Sequence, residues 1–245
     1  MAHRGFSREG LENSMTAFGS AVDLGYRYLE TDTHATSDGV AVALHDATLD
    51  RVTDATGAIA DLPWRAVSRA RIHGREPVPR LEELLGAWPE VRLNIDAKSD
   101  QAVVPLVAAI ERAGAHDRVC IGSFSDRRRR EVLRRLSRPV ATSAGTRAGA
   151  AFRLGSTVPG AGGRRLAAAA LRNIDALQMP LTHRGVPVVT ATTLATAHAS
   201  GVPVHVWTIN DRTQMERLLD LGVDGLISDR ADVLKDVLVA RGQWV

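Results

Sequence analysis

Four short clusters hold the groups of this 245-residue chain that could do chemistry. They are His3-Arg4-Gly5, Glu30-Thr31-Asp32-Thr33-His34, His45-Asp46 and Asn94-Ile95-Asp96-Ala97-Lys98. Together they offer two histidines for proton transfer, three carboxylates able to hold a hard divalent cation, and basic groups able to hold an anion. That is the equipment for metal-assisted cleavage of a phosphate ester. Glu30 and Asp32 are two apart, which on a strand puts both side chains on one face. Two carboxylates on one inward face repel each other unless a cation or a proton joins them. Asp96 would supply a third oxygen ligand from another strand end. An all-oxygen set points to one divalent cation, Mg²⁺ or Ca²⁺, in preference to Zn²⁺.

The order and spacing of these clusters are specific. HRG, ENSMTAF, ETDTHATSDG, HDATLDRVT and NIDAK, followed late in the chain by VWTIND and GVDGLISD, resemble the glycerophosphodiester phosphodiesterase family. The resemblance covers nearly the whole chain and is weakest between Thr142 and Arg172. It implies that His3 and His45 are the acid–base pair on either side of the phosphate. It makes Trp207 a wall for the substrate alcohol. Glu30, Asp32 and Asp96 are the expected metal ligands, although the family more often has Glu where this chain has Asp96. Arg4 and Lys98 are expected to bind the non-bridging phosphate oxygens, Arg4 by its planar fork and Lys98 as a point charge. The competing reading for these two cations is a structural ion pair with Glu30 or Asp96. His34 is expected to support the site from behind, and Asn13 to cap the first helix.

The implied substrate is a small-molecule phosphodiester with glycerol on one side and an alcohol such as choline or ethanolamine on the other. The implied products are glycerol 3-phosphate and the free alcohol, a reaction of lipid and glycerol metabolism. An alternative is a lysophospholipase D-type diesterase on the same scaffold. It would need an apolar groove, to which Leu62, Trp64 and Ile72 could contribute. A non-catalytic binding barrel is disfavoured, because no motif position holds an inert residue.

These groups need strand ends to converge on, and the chain supplies them. Strand-like segments at Tyr26–Thr33, Val91–Asp96, Arg118–Gly122, Ala176–Met179, Val204–Ile209 and Gly225–Ser228 alternate with helix-like ones. Alternating units of this kind build a parallel sheet with right-handed crossovers. Seven or eight of them in one domain predict an α/β fold, a (βα)8 TIM barrel. His3, Glu30, Asp32, Asp96, Lys98 and Trp207 then fall at or just beyond C-terminal strand ends, where barrel enzymes place their chemistry. Residues 48–80 read as a small, irregular, polar insertion after the second strand, expected to favour water-soluble substrates. The run Gly155–Gly163 reads as loop. Only Met1 and Ala2 precede His3, so the first strand is expected to be truncated and to leave an open apolar edge.

The bulk numbers agree with a single domain spanning residues 1–245. Apolar residues make up 44% of the chain and the net charge is +3. No apolar run is long enough to span a membrane, and no secretory signal precedes the HRG motif, so a cytoplasmic location is the default reading. Arg127 to Arg130 form the one dense basic run. With no aromatic residues interleaved, it reads as a solvated helix face and no nucleic-acid partner is expected. Cys120 reads as a buried core thiol. Nothing in the sequence bears on oligomeric state.

Overall fold

The computed structural model describes residues 1–244. The chain opens with β1 (Ala2–His3), α1 (Met15–Asp23) and β2 (Tyr28–Ala35), the two strands pairing in parallel. β3 (Ala41–Ala43) folds back antiparallel on β2 and lies off the main strand order. An excursion follows, with α2 (Trp64–Val67) and a hairpin of β4 (Arg71–Ile72) and β5 (Glu76–Pro77). Then come α3 (Leu81–Ala87), β6 (Arg92–Ala97), α4 (Val103–Ala113), β7 (Val119–Gly122), α5 (Asp126–Arg135) and β8 (Ala141–Thr142). Two consecutive helices, α6 (Thr146–Thr157) and α7 (Gly160–Ala170), lead to β9 (Leu177–Pro180). A second hairpin, β10 (Thr182–His183) with β11 (Val186–Pro187), precedes α8 (Ala191–His198). The chain finishes through β12 (Val204–Trp207), α9 (Arg212–Leu221), β13 (Gly225–Leu226) and α10 (Ala231–Ala240).

The strand order is β1-β2-β6-β7-β8 in one run and β9-β12-β13 in the other. Parallel bridges from Ser143 to Ala176 and from Ala2 to Ser228 join the two runs at both ends. Eight parallel staves therefore close into a barrel. Parallel staves are covered on both faces, inside by the barrel core and outside by helices. That is why β2 is buried without interruption from Leu29 to Ala35. Leu29, Ile95, Ile121, Val204 and Val206 are among the fully buried residues of the main core.

The first stave corrects one expectation. Two residues are enough, and no apolar edge is left open. Ala2 is fully buried. The Met1 ammonium donates to the Leu226 carbonyl at 2.7 Å. His3 N–H donates to Ser228 O at 2.9 Å, and Ser228 N–H donates to Met1 O at 3.2 Å. A stave needs only to satisfy the backbone groups its neighbours present at that level. These bonds do so, and they anchor His3 from its N-terminal side.

Three further expectations fail, in whole or in part, for packing reasons. Gly155 and Gly163 lie in helices, not in a loop, and only Val158 and Pro159 separate α6 from α7. A Cβ at Gly155 would meet the Ala167 backbone at 2.5 Å, and one at Gly163 would meet the Val158 carbonyl oxygen at 1.9 Å. These glycines let the two helix backbones approach closely. The excursion is not simply polar either. Leu49, Val52, Ile59, Val67, Ile72 and Val78 form a second apolar cluster with Val42 and Leu44. The arginine run is likewise only partly solvated. Arg129 is buried and donates to Thr142 Oγ1 at 3.1 Å, while Arg128 donates to Ala97 O at 3.0 Å. Burial pushes the thiol of half-buried Cys120 up to about 12. Among the described residues, no helix is long and apolar enough to cross a membrane.

Candidate active site

The turn from β1 into α1 sets the first part of the site. Arg4 adopts φ 55° and Gly5 φ 80°. A Cβ at Gly5 would lie 2.6 Å from the Ala17 backbone, so only glycine fits this close approach. Arg4 N–H donates to Glu30 O at 3.0 Å, which ties the turn to β2. Ser14, not Asn13, caps α1: its Oγ accepts from Ala17 N–H at 3.0 Å. Asn13 is fully buried and instead donates from Nδ2 to Asp32 Oδ2 at 3.2 Å, while its Oδ1 accepts from Thr31 Oγ1 at 2.8 Å.

Parallel register brings the carboxylates together. Glu30 pairs with Asn94 and Asp32 with Asp96 across β2 and β6. Lys98 follows the end of β6 and reaches back, with Nζ 2.8 Å from both Asp32 Oδ1 and Asp96 Oδ2. Arg4 Nε lies 3.0 Å from Asp32 Oδ2, and its Nη1 donates to Glu12 at 2.9 Å. The ion pairs made by the two cations are therefore with Asp32, Asp96 and Glu12, and Arg4 makes none with the Glu30 side chain.

The electrostatics separate the carboxylates. Burial raises the Glu30 carboxyl well above its usual range, and the neighbouring charges of Asp32 and Asp96 add to this. Its only ion-pair neighbour among the described residues is His3 Nε2, at 3.7 Å. Burial would also raise Asp32, but Lys98 and Arg4 outweigh it and hold that carboxyl below the usual value. Lys98 is correspondingly raised, its two carboxylate neighbours outweighing burial.

Each site histidine has its own aspartate. His3 Nδ1 lies 2.6 Å from Asp229 Oδ1, and His45 Nδ1 lies 2.6 Å from Asp46 Oδ1. An ionised carboxylate only accepts, so each ring carries its proton on Nδ1 and presents Nε2 to the cleft. Asp229 is held by Asn210, whose Nδ2 donates to its Oδ2 at 2.8 Å. Asp46 is held by Arg51, whose Nε donates to its Oδ2 at 2.5 Å. Arg51 also donates to Glu12, so a chain of charge-assisted bonds runs from His45 through Asp46, Arg51 and Glu12 to Arg4. His34 supports the loop from behind, its Nε2 donating to the His45 carbonyl at 3.1 Å.

One cleft of about 820 Å³ at the C-terminal barrel face contains His3, Arg4, Glu30, Asp32, His45, Asp96, Lys98 and Trp207 in its lining. The eight residues singled out in the sequence thus meet at one place. Sequence reasoning missed Asp229, Asn210 and Phe124. Phe124 stands with its ring edge-on to Trp207, centroids 5.8 Å apart, and with Lys98 Nζ 5.6 Å from its own centroid. No residue of the 48–80 excursion lines the cleft. Ile72 is buried in the second apolar cluster, with Leu62 and Trp64 packed against it, so the expected role of these three in a substrate groove is withdrawn.

The sequence pattern of the glycerophosphoryl diester phosphodiesterase family matches residues 3–233. The chain belongs to this family. It is 49% identical over 245 residues to a probable glycerophosphodiester phosphodiesterase 2 of Mycobacterium tuberculosis, covering 100% of this chain and 92% of that protein. Solved structures share the fold. A putative glycerophosphoryl diester phosphodiesterase from Silicibacter pomeroyi superposes with a TM-score of 0.80 at 22% identity, covering 100% of this chain and 94% of its own. An Oleispira antarctica phosphodiesterase, solved in complex with the product sn-glycerol-3-phosphate, superposes with a TM-score of 0.79 at 21% identity, covering 97% and 95%. As a family member the chain is a phosphoric diester hydrolase on a TIM-barrel fold.

The carboxylate cluster offers mixed surroundings for a divalent cation. Lys98 Nζ lies between Asp32 and Asp96, and among the described residues no three carboxylate or imidazole groups close around one point. Two observations nevertheless fit a cation. Asp96 Oδ1 is buried and has no hydrogen-bond partner. Glu30 sits beside two other carboxylates with no cationic Lys or Arg side chain within ion-pair distance among the described residues.

Proposed function

We propose that this chain hydrolyses glycerophosphodiesters to glycerol 3-phosphate and an alcohol, with His3 and His45 as the acid–base pair and one divalent cation, Mg²⁺ or Ca²⁺, as cofactor. The observation that carries the reading is the pair of histidines in one cleft, each with Nδ1 fixed by a carboxylate at 2.6 Å. Glu30, Asp32 and Asp96 would hold the cation. When bound it would act as a Lewis acid that neutralises charge developing on the phosphate.

The chain's own groups supply the rest. Arg4 and Lys98 orient the phosphate through its non-bridging oxygens. Lys98 would turn from the carboxylates towards the substrate as the negative charge around it is neutralised. One histidine, neutral, takes a proton from the attacking oxygen on its Nε2, and the other, entering the step as imidazolium, delivers its Nε2 proton to the leaving alkoxide. The attacking oxygen is water or the glycerol 2-hydroxyl. A cyclic phosphate trapped during turnover distinguishes the second route from the first. Asp229 and Asp46 stabilise each ring when it becomes imidazolium and keep its tautomer fixed.

The test is turnover of a panel of glycerophosphodiesters with and without chelator. Activity on glycerophosphocholine or glycerophosphoethanolamine that disappears with chelator and returns with Mg²⁺ or Ca²⁺ supports the reading. Full activity after exhaustive chelation would sink the metal assignment, and no turnover of any panel member would sink the substrate assignment.

A further inference from the structure

The carboxylates of the cleft are confined to one side of it. Glu30, Asp32 and Asp96 come from β2 and β6. The opposite side, built by the segment after β7, by α6, β9, the β10–β11 hairpin and β12, has none among the described residues. It carries instead Arg153 on α6 and His183 and Arg184 on the hairpin, among neutral polar and apolar residues. Arg153 is half-buried, and its Nη2 donates to Pro187 O at 3.3 Å, which ties it from α6 across to β11. Arg184 and Gly185 form the two-residue turn of the hairpin, with His183 paired to Val186. Both turn residues have positive φ, 49° and 79°. Such turns favour Asn, Asp or Gly. An arginine takes this backbone at a cost, and the turn sets it in the cleft wall. A cationic alcohol such as choline finds no counter-charge here. A quaternary ammonium is otherwise held by open aromatic faces. Of the two aromatic rings besides histidine in the lining, Phe124 already has Lys98 Nζ 5.6 Å from its centroid, and Trp207 is packed edge-on against it.

We propose that Arg153 and Arg184 form a cationic rim that reads the alcohol half of the diester and selects an alcohol with a negative charge of its own. The inference rests on the phosphodiesterase reading given above. The rim and both histidines line one cleft, so the ligand of the rim is part of the substrate itself. Glycerol and the bridging phosphate stay on the side of the histidines and carboxylates, and the variable alcohol extends to the far side. A guanidinium fork matches a carboxylate and a phosphate group alike, so the chemistry read is an anionic oxygen group at the end of the alcohol. Such substrates are water-soluble. The expected preference for water-soluble diesters then has its cause in the far wall and not in the excursion, which lies outside the cleft.

Esters of glycerol 3-phosphate with linear alcohols of about two to six carbons test the rim. The far end of the alcohol is a carboxylate, a phosphate, a hydroxyl or a trimethylammonium group. At the length that reaches the rim, kcat/KM for the anionic esters should exceed that for the trimethylammonium ester by about tenfold, with the hydroxyl ester between them. The carboxylate and phosphate arms show which anion the rim prefers. The difference should lie in KM, since the rim is engaged equally in ground and transition states, and it should shrink as salt is added. Arg184→Asn suits the positive φ of the turn and keeps the fold. It should cut the preference by about threefold, and Arg153→Gln with Arg184→Asn should bring it close to one. Calorimetric binding of ω-carboxyalkylphosphonates and ω-aminoalkylphosphonates of the same lengths gives a readout free of turnover. Tighter binding of the carboxylate series in the absence of any turnover would keep the rim and discard the phosphodiesterase reading. Absence of both turnover and a binding difference would discard both. Normal turnover of the hydroxyl esters with no charge preference at any length would overturn the rim alone. So would a preference that the double variant preserves, or a uniform fall for all four esters, which would make the two arginines a guide for the bridging phosphate only.

Discussion

His3 and Asp229 stand 226 residues apart in the chain and 2.6 Å apart in the fold. Barrel closure makes the contact. β13 is the last stave and β1 the first, and the bridge from Ala2 to Ser228 joins them. A carboxylate just past the last strand therefore lies beside a histidine just past the first. Asn210 completes the arrangement from the neighbouring stave, its Oδ1 accepting from Asp229 N–H at 2.9 Å and from Ser228 Oγ at 3.1 Å. Hydrogen bonds from His3 and Asn210 outweigh burial and hold the Asp229 carboxyl below its usual value, so it stays an acceptor.

The first prediction follows from this contact. Asp229→Asn keeps the shape and removes the charge, so Nδ1 of His3 loses its fixed proton. The variant should fold normally and lose about 10²–10⁴ in kcat, the scale seen when the aspartate of a His–Asp pair is neutralised. KM should change little. Steady-state kinetics and circular dichroism measure both halves. A variant with wild-type kcat would reduce Asp229 to a loop anchor.

The histidines themselves give the second prediction. His3→Ala and His45→Ala should each lower kcat by about 10²–10⁴, the usual scale for losing a general acid or base. The double variant should fall little below the weaker single one, because the two rings act together in the same chemical step. Independent, multiplying losses would argue that one ring acts outside the chemical step.

Much of this site was legible in the sequence, and the reason is local. Glu30 and Asp32 share a face because strands alternate, and Asp96 joins them because β2 and β6 run in parallel register. Such relationships need only a strand and its neighbour. Asp229 was quoted within a motif but given no role, since its partner is fixed by closure of the whole barrel and not by spacing. Gly155 and Gly163 misled for a different reason. A glycine that breaks a helix and one that lets two helices touch look alike in sequence, and only the 1.9 Å and 2.5 Å approaches tell them apart. The excursion misled because its apolar residues are scattered. They meet in three dimensions around Val42 and Leu44, away from the cleft.

Glu30 yields a prediction about stability. Its carboxyl is raised by burial and by Asp32 and Asp96. A group raised in the fold contributes stability that is complete below its unfolded value and is lost as pH rises through its folded value. In the metal-free protein, ionised Glu30 therefore weakens the fold as pH rises. Glu30→Gln should raise the Tm of metal-free protein by a few degrees at pH 8 and by less at pH 5. The same variant should lose the Tm increase that Mg²⁺ or Ca²⁺ gives the wild type. A metal response that persists unchanged in Glu30→Gln would remove Glu30 from the ligand set.

The last prediction concerns acid. Asp46 is lowered to about 2, first by the hydrogen bond from Arg51, then with help from His45, against opposition from burial. A depressed carboxyl contributes stability that is present above its unfolded value, about 3.8, and is lost as pH falls through its folded value. Asp46→Asn cannot make this contribution at any pH. The Tm gap between wild type and Asp46→Asn should thus be level above about pH 5 and shrink between about pH 4 and pH 2. The site responds through the same contact. Protonated Asp46 releases Arg51 from one of its two carboxylates and frees the His45 ring to turn, so the loop from His45 to Arg51 should loosen before the barrel melts. Thermal melts of both proteins across this range, followed by near-ultraviolet and far-ultraviolet circular dichroism, provide the measurement. A gap that stays constant down to pH 2 would mean that Arg51 holds Glu12 alone, and His45 would then need another source for its fixed tautomer.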